Sequence, residues 1–202
     1  MPRSVALTRE EARAQVIALA RACADRGWTP ATAGNFSVRL GDGRAAITRS
    51  GADKGRLVPE DILLLPLGEA PPRTASAEAP IHWRLYREDR EIGAVAHAHP
   101  PALTTLSLAP DALKGLVLEG LELLKVLPGI DTHATSITVP VFANTQDMAG
   151  LAGRLTWNPR VPAIILQGHG IYVWGADTET AFRYMEALEY MFDLEFRRRQ
   201  LR

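Results

Sequence analysis

Three of the chain's five histidines stand where a metal ion would need them. His97 and His99 are separated by one residue in the apolar run Ile92–His99, and in an extended chain side chains alternate faces. Gly93, Val95, His97 and His99 therefore share one face, while Ile92, Ala94, Ala96 and Ala98 share the other. Two imidazoles whose Cα atoms are about 7 Å apart along a strand can converge on one ion. A third must come from a remote segment, and His169, bracketed by Gly168 and Gly170, is the best candidate. Zinc takes imidazole nitrogens at tetrahedral positions, and three protein ligands leave one position for water or substrate. Proton chemistry beside such an ion also needs a carboxylate, for which Glu78 and Glu122 are the candidates. Glu119, Glu186, Glu189 and Glu195 read as helix-face charges, and on periodicity alone Glu122 reads the same way. His82, on a helical pattern, reads as a satisfied core or surface residue. His133 reads as a surface or structural group in the polar stretch Asp131–Ser136, with substrate contact as the alternative.

Two further segments have the vocabulary of phosphate recognition, which needs closely approaching backbone N–H groups together with hydroxyl or cationic donors. Thr32-Ala33-Gly34-Asn35-Phe36-Ser37 offers small residues and an amide before a strand. Ser50-Gly51-Ala52-Asp53-Lys54-Gly55 offers a glycine-rich turn with a lysine. Each reads equally well as an ordinary turn.

The elements that must position these groups follow from periodicity. Thr8 and Glu11 form a capping-box pattern ahead of Ala12, Val16, Leu19, Ala20 and Cys23, a helix that Gly27 stops. Phe36–Leu40 and Arg44–Thr48 flank Gly41-Asp42-Gly43 and predict a hairpin. Ile62–Leu67 reads as a strand, Gly68–Ser76 as an exposed loop, and Pro80 stands near the start of a helix running through Trp83, Leu85 and Tyr86. Pro100-Pro101 ends the histidine strand, and a helical pattern interrupted by Gly115 and Gly120 then runs from about Asp111 to Lys125. Ile137–Phe142 and Ala163–Gln167 read as buried strands, and Ile171–Trp174 is a further apolar run. Asp177 caps a long helix with the stripe Ala181, Tyr184, Met185, Leu188, Met191 and Phe192, ending in Arg197, Arg198 and Arg199. Strands interleaved with helices predict a three-layer α/β/α fold. The hairpin makes its central sheet mixed and largely antiparallel.

At 202 residues the chain is expected to form one domain, 1–202, with one sizeable core. Its 23 basic and 23 acidic residues remove the electrostatic argument for nucleic acid or an anionic membrane as partner, which leaves a small solute as the default. The apolar stretches are too short to span a bilayer, and acidic Glu10 and Glu11 argue against a leader segment. Cys23, the only cysteine, is expected in the core, so no intrachain disulfide can form and the cytoplasm is the natural compartment.

In order and approximate spacing, Gly34-Asn35-Phe36-Ser37, Ser50-Gly51, Ser76-Ala77-Glu78, His97-Ala98-His99 and Gly168-His169-Gly170 resemble the class II aldolase/adducin family over nearly the whole chain. The segments Leu118–Lys125, Val139–Asn144 and His169–Gly175 are most similar to its branch that dehydrates 5-methylthioribulose 1-phosphate. The resemblance implies one zinc ion per subunit on His97, His99 and His169. It also implies phosphate contacts around Gly34, Asn35, Ser50, Gly51 and Ser76, and a homo-oligomer, commonly a tetramer, with active sites near subunit boundaries. The family's aldolases carry their proton-transferring glutamate at the position of Glu78, whereas the better studied eukaryotic dehydratases resemble this chain at Glu122 and have a cysteine near the Glu78 position. This chain carries both glutamates. The reading preferred here gives removal of the C3 proton to Glu122 and protonation of the leaving hydroxyl to Glu122 or Glu78. Two alternatives stand beside it: an aldolase or epimerase of fuculose, rhamnulose or ribulose phosphates, and a non-enzymatic adducin-type binding protein, which intact His97, His99 and His169 disfavour.

Overall fold

The computed structural model describes residues 7–201, and the first six residues of the segment in which a leader is not expected lie outside them. Helix α1, Arg9–Asp25, begins as its sequence implies: the Thr8 hydroxyl accepts from the Glu11 amide while the Glu11 carboxylate accepts from the Thr8 amide. Its buried positions are Ala12, Val16, Leu19, Ala20 and Cys23, the face expected from the spacing.

Strands β1 (Asn35–Arg39) and β2 (Arg44–Thr48) form the expected hairpin, and β3 (Ile62–Pro66) adds to β2. After α2 (Ala79–Glu88) come β4 (Ala94–Ala98) and the short α3 (Pro101–Leu106). Strands β5 (Leu116–Glu119) and β6 (Ser136–Val139) pair only with each other. The chain finishes with β7 (Val141–Phe142), α4 (Met148–Arg154), β8 (Ala163–Leu166), β9 (Gly170–Gly175) and α5 (Thr178–Gln200). The main sheet has seven strands in the order β3-β2-β1-β4-β9-β8-β7, antiparallel throughout except between β7 and β8. One face packs against α1, α3 and α5, the other against α2 and α4, giving the three layers expected. On α5, burying Met185, Leu188, Met191 and Phe192 contributes roughly 1.5–3 kcal/mol each before chain entropy is counted.

Three expectations need correction. Residues 111–125 are not a helix. Leu116 and Leu118 are buried and Val117 and Glu119 exposed, a period of two that suits a strand, and left-handed glycines at 115 and 120 bound it on either side. Only single 3-10 turns, Ala112–Lys114 and Glu122–Val126, remain of the helical pattern. The run Ile137–Phe142 is split at Pro140, with its halves in different sheets. Ile92 precedes β4 and packs with Val95 rather than with Ala94 and Ala96, because the alternation starts only where the strand does. Helix α4 was not foreseen. Its two glycines weaken the pattern, and it is held by the Asp147 carboxylate accepting from the Gly150 amide at 2.9 Å. No helix among the described residues is long and apolar enough to cross a membrane.

Candidate active site

The site is a row across the middle of the sheet. Asn35 on β1 is the register partner of His97 on β4, which is the partner of Tyr172 on β9. All three side chains emerge on the α2 side, as the alternation of β4 requires. His97 is fully buried. Its Nδ1 donates to the Ile171 carbonyl at 3.0 Å, and its ring stacks on Tyr172 with centroids 4.0 Å apart. The Nε2 lone pair is thereby turned inward. His99 follows the strand end, tied by its amide to the Trp28 carbonyl at 2.7 Å, and presents Nε2 to His97 Nε2 at 2.9 Å. His169 arrives from the turn between β8 and β9. Gly170 permits that approach, because a Cβ there would lie 2.3 Å from the Ala98 carbonyl oxygen.

Ligand nitrogens of the three rings lie within 4.8 Å of one another. Burial lowers His97 to about 3 and His99 to about 4, so both rings offer neutral lone pairs at pH 7. The Nδ1 of His169 is buried with no hydrogen-bond partner. Three converging imidazole nitrogens, with the His97 ring oriented by a backbone carbonyl, fit a divalent cation, and the triad can hold one.

Glu78 is the carboxylate of this centre. It stands at the N-cap of α2, where the helix dipole favours negative charge, with Oε2 3.1 Å from His97 Nε2 and Oε1 3.3 Å from His169 Nε2. Burial would raise its pKa, but the adjoining His97 and His169 rings and the Asn35 amide outweigh that and hold it well below the usual carboxylate range. Glu122 is elsewhere: two-thirds exposed, it is paired with Lys125 and lies 3.5 Å from the exposed His133. Within one chain the structure joins Glu78 to the triad and leaves Glu122 and His133 outside it.

Beside the triad a cleft of about 290 Å³ is lined by Gly34, Asn35, Ser50, Gly51 and Ser76, the five residues the motifs suggested, together with Lys54, Arg49, Glu78 and His99. Gly34 is at φ +82°, and a Cβ there would meet the His97 carbonyl oxygen at 2.7 Å. Lys54 is buried, its ammonium donating to the Thr32 and Ala52 carbonyls at 2.7 Å each, and burial lowers its pKa. The Asn35 carboxamide donates one N–H to Glu78 at 2.5 Å and accepts from His82 at 2.6 Å, which leaves one amide N–H of a cleft-lining residue for a phosphate. Sequence reasoning missed Tyr172, whose hydroxyl donates to Glu78 at 2.9 Å, as well as Arg49, while His82, read as a satisfied core or surface residue, is buried and hydrogen-bonded. In sequence, Tyr172 is one apolar-run residue among several, and only the strand register reveals it.

The chain belongs to the class II aldolase and adducin N-terminal domain family, whose pattern matches residues 14–196. A solved L-fuculose-1-phosphate aldolase from Thermus thermophilus superposes with a TM-score of 0.74 at 30% identity, covering 96% of this chain and 98% of the other. Among its curated relatives is the methylthioribulose-1-phosphate dehydratase of Methylococcus capsulatus, 50% identical over 194 residues, or 93% of this chain and 94% of that one. The enzyme of the same name from Sorangium cellulosum is 45% identical over 189 residues, 89% of each chain.

Proposed function

We propose that this chain, as one domain spanning residues 1–202, dehydrates 5-methylthioribulose 1-phosphate to 5-methylthio-2,3-dioxopentyl 1-phosphate. The reaction would serve methionine salvage in the cytoplasm, in a homotetramer with one Zn²⁺ per subunit. The observation that carries the reading is an ionised Glu78 held against two of three converging imidazoles at one end of a cleft furnished with hydroxyls, backbone amides and cations. Relatives that share about half of its residues along nearly its whole length bear the dehydratase name, which supports dehydration over aldol cleavage.

Bound by His97, His99 and His169, Zn²⁺ would supply a Lewis acid that stabilises negative charge developing next to the substrate carbonyl. The chain's own residues do the rest. Ser50, Gly51, Ser76 and Gly34 offer hydroxyls and amides to the phosphate, with Lys54 and Arg49 adding positive charge. Anchoring C1 there directs the C2 carbonyl and the C3 carbon toward Glu78. Its carboxylate takes the C3 proton, the electron pair of the broken C–H bond forms the enediolate, and that pair then expels the C4 hydroxyl. A proton delivered to the hydroxyl completes the water, and the resulting enol becomes the C3 ketone as C4 gains a proton from solvent. The position of Glu78 beside His97 and His169 supports assigning it the first proton, in place of Glu122. The second carboxylate, Glu122, takes part from a neighbouring subunit, since in its own chain it is exposed and away from the triad.

Mass spectrometry of the zinc-loaded protein with 5-methylthioribulose 1-phosphate, beside L-fuculose 1-phosphate and ribulose phosphates, tests the reaction. Water loss confined to the methylthio ketose is expected, and cleavage of a control ketose into two fragments assigns an aldolase instead. Mixing inactive Glu78→Gln and Glu122→Gln proteins after subunit exchange tests the shared site. Recovery of activity is expected, and none appears if both glutamates serve within one chain.

A further inference from the structure

Behind Glu78 runs a buried chain of hydrogen bonds that the reaction above does not use. Asn35 Nδ2 donates to Glu78 Oε2, Asn35 Oδ1 lies 2.6 Å from His82 Nε2, His82 Nδ1 lies 2.7 Å from Ser37 Oγ, and Ser37 Oγ lies 2.7 Å from the Tyr86 hydroxyl. His82 and Ser37 are fully buried and Tyr86 nearly so, so water cannot replace a missing partner.

The direction of every bond follows from the carboxylate. An ionised carboxylate only accepts, so Asn35 must turn its NH₂ toward Glu78 and its carbonyl toward His82. The Asn35 carbonyl only accepts, so His82 must carry its proton on Nε2. Burial keeps His82 neutral, so Nδ1 is an acceptor and the Ser37 hydroxyl donates to it. Ser37 has then spent its proton, and the Tyr86 hydroxyl donates to Ser37. Four donors point one way and end on a single oxygen. The Tyr172 hydroxyl donates to that same Oε2, whereas Oε1 faces only His169.

We propose that the chain Tyr86–Ser37–His82–Asn35, together with Tyr172, is a positioning device that holds Glu78 Oε2 as a standing acceptor and leaves Oε1 as the atom that takes the substrate proton. His82 is a positioning residue in it. It touches neither the substrate cleft nor the triad nitrogens, and acts by fixing which way the Asn35 amide faces. Were Asn35 to rotate, its carbonyl would oppose the carboxylate, and Glu78 would leave the geometry in which Oε1 meets the substrate. This rests on the reading of Glu78 as the proton carrier.

The polarity can be tested without turnover, by ¹⁵N NMR of the histidine-labelled protein. His82 is expected as the neutral Nε2–H tautomer with a slowly exchanging ring proton, and an Nδ1–H tautomer overturns the proposal. The function is tested with zinc-loaded protein and 5-methylthioribulose 1-phosphate. His82→Leu, which removes the donor, is expected to lower kcat at least about ten-fold with KM and zinc content unchanged, since the buried Asn35 carbonyl is left without the partner that fixes the amide toward Glu78. His82→Gln, which restores an N–H toward Asn35, is expected to recover kcat to within about three-fold of the parent. In an Asn35→Ala background, replacing His82 by Leu is expected to cost nothing more. An equal loss there means that His82 serves only the core, and the proposal fails. Should His82→Leu not fold, Tyr172→Phe keeps the ring on His97 and deletes one donor to Oε2. Undiminished kcat in that variant also overturns the proposal. Glu78→Gln separates the two claims: if it still turns over, the reading of Glu78 has failed, whatever the tautomer of His82.

Discussion

Replacing Gly34 by alanine should damage the centre without touching any group that does chemistry. The residue lies at φ +82°, where an L side chain costs roughly 1–2 kcal/mol. Its new Cβ would lie 2.7 Å from the His97 carbonyl oxygen and 3.0 Å from Thr29 Cγ2. The first neighbour is backbone of β4 and cannot swing aside, so β1 and β4 must separate by several tenths of an ångström next to a histidine of the triad that could hold a metal ion. Strain of that kind costs about 1–3 kcal/mol, typical of overpacking in a well-packed interior. The sum is about 2–5 kcal/mol, and at about 2–4 °C per kcal/mol for a chain of this size the melting temperature should fall by roughly 4–20 °C. The shift of His97 should also weaken metal binding. Calorimetric melting of the metal-free protein, with metal content measured after dialysis against a weak chelator, reads both effects. A variant that melts within a degree or two of the parent and retains its metal refutes the claim that this close approach builds the site.

Other consequences can be checked as directly. His82 and His97 titrate at about 3 and His99 at about 4 in the folded chain because burial disfavours their charged forms, against an ordinary 6.5. The unfolded chain therefore takes up protons first. Stability of the metal-free protein should be full above pH 6.5 and be lost as pH falls toward 4, by up to about 1.4 kcal/mol per pH unit for each histidine. Flat stability across that range in denaturant titrations contradicts the burial argument. The Cys23 thiol is fully buried and pushed up to about 12, so a thiol reagent should label it only as fast as the native protein opens, and rapid labelling would place it at the surface. Lys54→Met should raise KM for a phosphorylated ketose at least about ten-fold, or about 1.4 kcal/mol, while kcat changes less. An unchanged KM confines Lys54 to holding the Thr32 and Ala52 carbonyls.

Much of this arrangement was legible in the chain, for reasons specific to each residue. The pair His97 and His99 could be read because a strand's period of two is rigid, and His169 because flanking glycines announce a close approach. The five cleft residues could be named because they carry motifs. The 111–125 segment misled because its leucines and charges fit a helical wheel as well as a strand, and what decides between them is β6, further along the chain. The role of Asn35 was hidden for a different reason. Its carboxamide suits phosphate or carboxylate equally, and only the register of β1 against β4, with α2 packed above, turns it to Glu78 and His82. Glu122 is the converse case, a residue marked by its segment that one chain leaves in solvent.

The central claim is that Glu78 removes the C3 proton and that C4 then loses its hydroxyl. The most direct measurement is turnover of 5-methylthioribulose 1-phosphate carrying deuterium at C3, with the product followed by mass. The expected result is a five-carbon diketone that has lost both water and the label, formed more slowly than from unlabelled substrate and not formed at all by Glu78→Gln. A diketone that keeps its deuterium, a full rate from the Gln variant, or scission between C3 and C4 would each contradict the account.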